Sequence, residues 1–205
     1  VQDREDLLNF ENLTAEFNVR ADNGSPKVKL IDEWTGLLPS EQLAYIDLIA
    51  RNMQRYELGG KVLTAIRDNL QPHFPSPSSL VNQAIAPLLI SLNPAKAVGQ
   101  TIRLLDQSIH QRERLHYLYH LRNAREGWTA DSRGSFFRAL GTYDTFLGGR
   151  GLPQALKNIR REAMATLTED EKVLLAGVIE HKPALPDFPD LTGRQLVRNW
   201  QPADF

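Results

Sequence analysis

Residues 76–125, SPSSLVNQAIAPLLISLNPAKAVGQTIRLLDQSIHQRERLHYLYHLRNAR, decide the fold class. Apolar stripes at helical spacing follow one another with only short polar breaks, and no strand-like alternation separates them. Ser76 reads as an N-cap with Pro77 at the first helical position, where the missing N–H costs nothing. The helix so opened carries Leu80, Val81, Ile85, Leu88, Leu89 and Leu92, apolar on nearly every side. Pro87 lies inside it and removes the bond to the Gln83 carbonyl, which predicts a kink. Asn93-Pro94 repeats the cap-then-proline device ahead of Ala97, Val98, Ile102 and Leu105. From Ile109 to Arg125 the arc of Leu115, Tyr117, Leu118, Tyr119, Leu121 and Ala124 is broad enough to predict packing against two neighbours. Helices of this length depend on burying their apolar faces against one another, so a succession of them predicts a stacked, all-α array.

The pattern continues on both sides. Upstream, Ser40 after Pro39 and before Glu41 reads as an N-cap, opening a helix to about Tyr56 that buries Leu43, Ile46, Ile49 and Ala50. Gly59-Gly60 stops it, and a second helix follows through Val62, Leu63, Ile66 and Leu70. Downstream, Thr129 caps a helix with Phe136, Leu140 and Tyr143, and Gly148 to Gly151 connect it to the next. Pro153 fits a first helical turn ahead of Leu156, Ile159, Ala163 and Leu167. Thr168 and Glu171 form a capping box before Val173, Leu174, Val178 and Ile179. From Ser40 to His181 this makes about eight helices in four pairs, joined by the short connections usual in helical arrays. Residues 1–38 hold one amphipathic helix over 2–17 (Leu7, Leu8, Leu13, Phe17), turn residues at Asp22 to Pro26 and an irregular segment. The array spans 39–183, and 184–205 form a proline-rich tail or linker with room for a short helix over Leu191 to Trp200.

Composition excludes several classes. The 205 residues include no cysteine, which removes disulfides, thiolate metal sites, a cysteine nucleophile and CxxCH haem attachment within this chain. No apolar run approaches the roughly 20 residues that span a bilayer. The acidic start VQDREDLLNF has neither the basic nor the apolar region of a signal peptide and no initiator Met, so the chain reads as a processed or excised piece. A net charge of −1 gives no bulk attraction to nucleic acid or membrane.

Three segments carry a specific likeness: residues 62–106 (VLTAIRDNLQPHFPSPSSLVNQAIAPLLISLNPAKAVGQTIRLLD), 114–140 (RLHYLYHLRNAREGWTADSRGSFFRAL) and 156–180 (LKNIRREAMATLTEDEKVLLAGVIE). They resemble the HEAT-like region of the PVC-type haem-binding CxxCH proteins, which place a β-propeller, helical repeats and a c-type cytochrome domain in one chain. The likeness covers roughly residues 60–180 and is sharpest at LRNAREGWT and NIRREAMATLTEDEK. It implies a HEAT/ARM-like right-handed array of antiparallel helix pairs, an interaction scaffold without a catalytic motif, and a periplasmic or extracellular location. The family's CxxCH is missing here, and Gln83-Ala84 and GGRGLP depart from its pattern, so no haem-binding role passes to any residue.

Candidate chemistry is sparse. Glu113, His116 and His120 share one face at spacings of three and four, which could supply metal ligands. No second ExxH and no HExxH completes a site, and an ordinary solvated face carrying histidines is the simpler reading. Gly148 to Gly151 could present N–H groups to an anion, but no strand precedes them and no Lys-Ser/Thr follows, so a helix-to-helix turn is expected. Ser135 in RGSFF is not in a nucleophile elbow. Residues 101–161 carry 11 Lys and Arg against 5 Asp and Glu, whereas 1–60 carry 6 against 11 and 162–205 carry 4 against 8. Arg112, Arg122, Arg125, Arg133, Arg138, Lys157, Arg160 and Arg161 are therefore candidates for a basic interaction patch. The plainer alternative is that Arg solvates the outer faces and the acidic ends neutralise the middle. Trp128, Phe136, Phe137, Tyr143 and Phe146 cluster near the basic segment, but at helical spacing they read as core rather than as a stacking platform.

The expectation is a non-catalytic helical-repeat scaffold or protein-interaction domain without a cofactor, an internal piece of a larger exported haem or electron-transfer protein. Its partners would be neighbouring domains or another protein. The alternative is a nucleic-acid- or anion-binding helical module using the basic middle, against which the near-neutral total charge weighs. An enzyme with its site on the Glu113–His120 face ranks third.

Overall fold

The computed structural model describes residues 34–142 and 146–181. Among them it contains eight α-helices and no strand: α1 Pro39–Arg55, α2 Gly60–Leu70, α3 Ser79–Leu92, α4 Pro94–Gln107, α5 Gln111–Leu121, α6 Ala130–Gly141, α7 Leu152–Met164 and α8 Glu169–Glu180. Short 3-10 turns at Trp34–Gly36 and Gln71–His73 precede α1 and follow α2. The helix expected over 2–17, the turn at Asp22 to Pro26, Tyr143 and everything from residue 182 onward lie outside the described residues.

Several helix starts follow from local chemistry. Thr129 and Ser132 close a reciprocal box at α6, and Thr168 and Glu171 do so at α8. Each satisfies N–H groups that the helix leaves without partners. Two starts differ from expectation by two residues each. The N-cap of α1 is Leu38 rather than Ser40, because Pro39 takes the first helical position and Glu41 reaches back to the Leu38 N–H at 2.7 Å. The cap of α3 is Ser78, whose hydroxyl accepts from the Val81 N–H. Ser76 stands two residues earlier, its N–H and C=O both held by the Asn82 side chain at 2.6 and 2.8 Å.

Packing runs mainly between a helix and the next but one. Helix α3 lies between α1 and α5, α7 touches α5, and α6 lies between α4 and α8. Two rows result, one of α1, α3, α5 and α7, the other of α4, α6 and α8; α3 and α5 both pack on α4, and α2 packs on α3. In the first row, α3, α5 and α7 run parallel. Ser79 and Gln83 of α3 bond Glu113 and His116 of α5 in order, and Gln111 and Arg122 of α5 bond Leu147, just before α7, and Glu162 within it.

The core between the rows contains Tyr45, Ile66, Ile85, Leu89, Val98, Leu105, Tyr117, Leu118, Phe136 and Phe137. The stripe of α7 is buried as read, Leu156, Ile159, Ala163 and Leu167 all facing inward. Four positions of the expected apolar stripes are exposed. Leu80 is 62% exposed, Tyr119 50%, and Val173 and Leu174 are 79% and 68% exposed, while Leu175 turns inward instead. In α8 the inward arc is Glu171, Leu175, Val178 and Ile179, at spacings of four, three and one; Val173 and Leu174 stand on the other side, where no described helix follows.

One glycine is fixed by its surroundings. Gly127 has φ +80°, and a Cβ on it would overlap the Pro94 carbonyl at the corner between α3 and α4. The connection after α5 therefore seats backbone against backbone on the start of α4.

Candidate functional site

Glu113, His116 and His120 of α5 lie at the seam between α3 and α5. Pro87 has no N–H, so the Gln83 carbonyl loses its partner within α3. His116 supplies a substitute across the seam, its Nε2 lying 2.7 Å from Gln83 O. A carbonyl can only accept, so Nε2 carries the proton and the ring is held as one tautomer. Helix α3 continues through Pro87 as a single helix from Ser79 to Leu92.

One turn nearer the helix starts, the Glu113 carboxylate accepts three hydroxyls: Ser79 Oγ at 2.8 Å, Ser108 Oγ at 2.9 Å and Tyr117 OH at 3.0 Å. Burial pushes this carboxyl up, but the three hydrogen bonds together outweigh it and hold it below the ordinary range. The Tyr117 hydroxyl is raised, by burial first and then by its bond to the Glu113 anion. One turn toward the other end, the His120 ring lies 4.5 Å from that of His116. Both imidazoles are lowered by burial, His120 to about 4 with His116 and Arg122 adding to the effect.

The seam is thus a polar joint rather than the solvated histidine face expected. Among the described residues no group of three His, Asp or Glu side chains is arranged to hold a metal ion. Glu113 spends its oxygens on hydroxyls and His116 its Nε2 on a carbonyl. His120 borders a shallow groove of about 480 Å³ with Pro87, Ile90, Asn123, Arg125 and Glu126, open over much of its surface.

Two results follow for the seam. Replacing His116 with Phe should cost about 1–3 kcal/mol, the usual penalty for leaving a buried carbonyl unpaired. Pro87→Ala returns an N–H to the helix, so in that background the same replacement should lose at least half its cost. A double-mutant cycle by urea unfolding measures the coupling. Acid acts on the same joint. Both imidazoles are held neutral in the fold and titrate near 6.5 when unfolded, so their contribution is complete above about pH 6.5. It is lost as pH falls toward the folded value of His120, about 4. Because solvent reaches the ring and screens it, the His120 loss is about 1–2 kcal/mol. Unfolding curves between pH 7 and 5 should show the decline, and His120→Gln should flatten it.

The eight basic residues do not share one surface. Arg133 is 3% exposed. Its Nη1 donates to Thr166 Oγ1 at 2.8 Å, its Nε lies 3.3 Å from Glu171 Oε1, and its guanidinium stacks 4.4 Å above the Trp128 ring. Burial lowers the Arg133 pKa, and the Glu171 charge works against that. Arg122 pairs with Glu162 at 2.6 Å and lies over Tyr119. Arg160 donates to the Ile179 carbonyl in the last turn of α8, and Arg138 Nη2 donates to Ser135 Oγ at 3.0 Å. Arg112, Arg125, Lys157 and Arg161 are exposed, spread over α5, the loop after it and α7.

Gly148 to Gly151 form the connection into α7, with Gly151 as its N-cap. Phe136 and Phe137 are core, in edge contacts with Trp128 and with each other, and Phe146 is half-buried against it. Sequence reasoning missed the partners of Glu113 and the Arg133–Glu171 pair. Comparison with known proteins gives no match, whether with family models, curated proteins or solved structures.

Proposed function

We propose that the chain is a non-catalytic helical scaffold that positions a neighbouring domain or a partner protein, with its helix pairs arranged as a HEAT-like array. The observation that carries this reading is the row of helices in which α3, α5 and α7 run parallel, each joined to the next by side-chain bonds. Such a lattice presents a long, rigid, repetitive surface, which suits protein contact better than chemistry on a small molecule. The use of Glu113, His116 and Arg133 in joints between helices supports the same reading, because groups that could serve as acids, bases or ligands are engaged structurally. Membership of a larger exported haem protein, and with it a periplasmic or extracellular location, rests on the sequence resemblance alone.

The nucleic-acid alternative loses ground because Arg133, Arg122 and Arg160 are turned to internal partners. The test has two arms. The complete gene should encode further domains beside this one, and those domains expressed separately should co-elute with this chain. Anisotropy with a labelled DNA duplex at physiological ionic strength should show no saturable binding. Failure to co-elute together with salt-dependent DNA binding would overturn the scaffold reading.

A further inference from the structure

Helix α5 carries two imidazoles one turn apart, His116 and His120, and the nitrogens they leave unused go beyond the scaffold reading. The Gln83 carbonyl, deprived of a helix partner by Pro87, holds the His116 proton on Nε2. Nδ1 of the same ring therefore keeps its lone pair. A histidine that donates one N–H to a backbone carbonyl and leaves its other nitrogen bare is the arrangement found at metal ligands. There the carbonyl fixes the tautomer and raises the basicity of the free nitrogen. Among the described residues His120 has ring contacts with His116 and Tyr119 but no hydrogen bond. Among the same residues only Arg114 and Arg133 bury a side-chain nitrogen without a partner, so the free nitrogens of both imidazoles reach solvent.

We propose that His116 Nδ1 and His120 together bind one divalent first-row cation of the copper, nickel and zinc class, the ions that imidazole suits best. A spacing of four residues is the one by which paired helical histidines hold zinc. Two nitrogens sharing a tetrahedral ion stand about 3.3 Å apart, from metal–nitrogen bonds of about 2.0–2.1 Å. Ring centres 4.5 Å apart are within reach of that separation, and no hydrogen bond restrains the His120 ring from turning to meet it. The groove of about 480 Å³ that His120 borders gives the ion a way in. Among the described residues no third His, Asp or Glu is in place, so water fills the remaining positions. Charge does not oppose the ion. Arg122 faces His120 but is paired with Glu162, Arg112 and Glu113 face His116 with opposite signs, and Arg125 and Glu126 stand opposed in sign at the groove.

The test titrates the metal-stripped full chain with Zn²⁺ by calorimetry and follows the histidine ring resonances by NMR. One equivalent should bind saturably, shifting the rings of His116 and His120 and leaving those of His73, His110 and His181 in place. His120→Gln should weaken binding at least about tenfold, and His181→Gln should not change it. Because His120 makes no hydrogen bond, its replacement should keep the helical far-UV spectrum. Pro87→Ala keeps both ligands but returns an N–H to the Gln83 carbonyl and loosens its hold on the His116 tautomer, so it should weaken binding about tenfold as well. A purely structural pair of histidines predicts no such loss. Absence of saturable uptake would overturn the proposal, as would uptake that survives His120→Gln. So would displacement of Zn²⁺ by an about hundredfold excess of Mg²⁺, which would place the ion on carboxylates.

Discussion

Gly127→Ala should destabilise the fold by about 3 kcal/mol or more, a drop of about 10 °C in Tm. Two penalties combine. The backbone has φ +80°, a conformation that side chains other than glycine's rarely adopt. The added Cβ would also overlap the Pro94 carbonyl, which is backbone and cannot turn aside as a flexible side chain would. Relief requires moving the connection between α5 and α6 away from the corner between α3 and α4. Gly149→Ala, in the exposed connection before α7 with open space around it, is the control and should stay within about 0.5 kcal/mol. Thermal unfolding of the two variants side by side makes the comparison.

Arg133→Met should cost about 2–3 kcal/mol. The substitution keeps much of the volume but removes the guanidinium that links three elements: Trp128 ahead of α6, Thr166 after α7 and Glu171 in α8. Glu171 retains its bond from the Thr168 N–H at 2.8 Å and is partly solvated, so it is not left as a bare buried charge. That keeps the loss below the full cost of breaking a buried pair. Arg133→Lys should recover less than half of it, because an ammonium cannot both stack on the indole and reach two acceptors. Chemical denaturation gives the energies, and Trp128 emission reports the loss of the stacked cation. A change under about 0.5 kcal/mol for Met would mean that the guanidinium contributes nothing to joining α6 and α8.

The fold class was legible because turn chemistry and apolar period agreed. Pro94, Pro153, Thr129 and Thr168 mark starts that the structure places within a residue or two, and α7 buries each residue of its stripe. What failed depends on neighbours that a single helix cannot reveal. Leu80 and Val173 fit an apolar stripe as well as Val81 and Leu175 do, and only the positions of α5 and α6 decide which are covered. The seam was half legible. Pro87 shows that the Gln83 carbonyl needs a donor, but the identity of that donor depends on register between α3 and α5. Glu113 and His116 looked solvated because their partners Ser79 and Gln83 lie more than thirty positions away. Arg133 sits among other arginines, and nothing local separates it from them. Its burial comes from α8 arriving with Glu171.

The central claim is that α3, α5 and α7 lie side by side and parallel, and cross-linking tests it most directly because the chain has no native cysteine. Cysteine pairs replacing Ser79 with Glu113, and Arg122 with Glu162, should each be joined rapidly by a short bis-maleimide in the folded monomer. Pairs replacing Ser79 with Arg122, and Glu113 with Glu162, should not. Rapid joining of the second set and not the first would mean that neighbouring helices run in opposite directions, and the two-row array would be wrong.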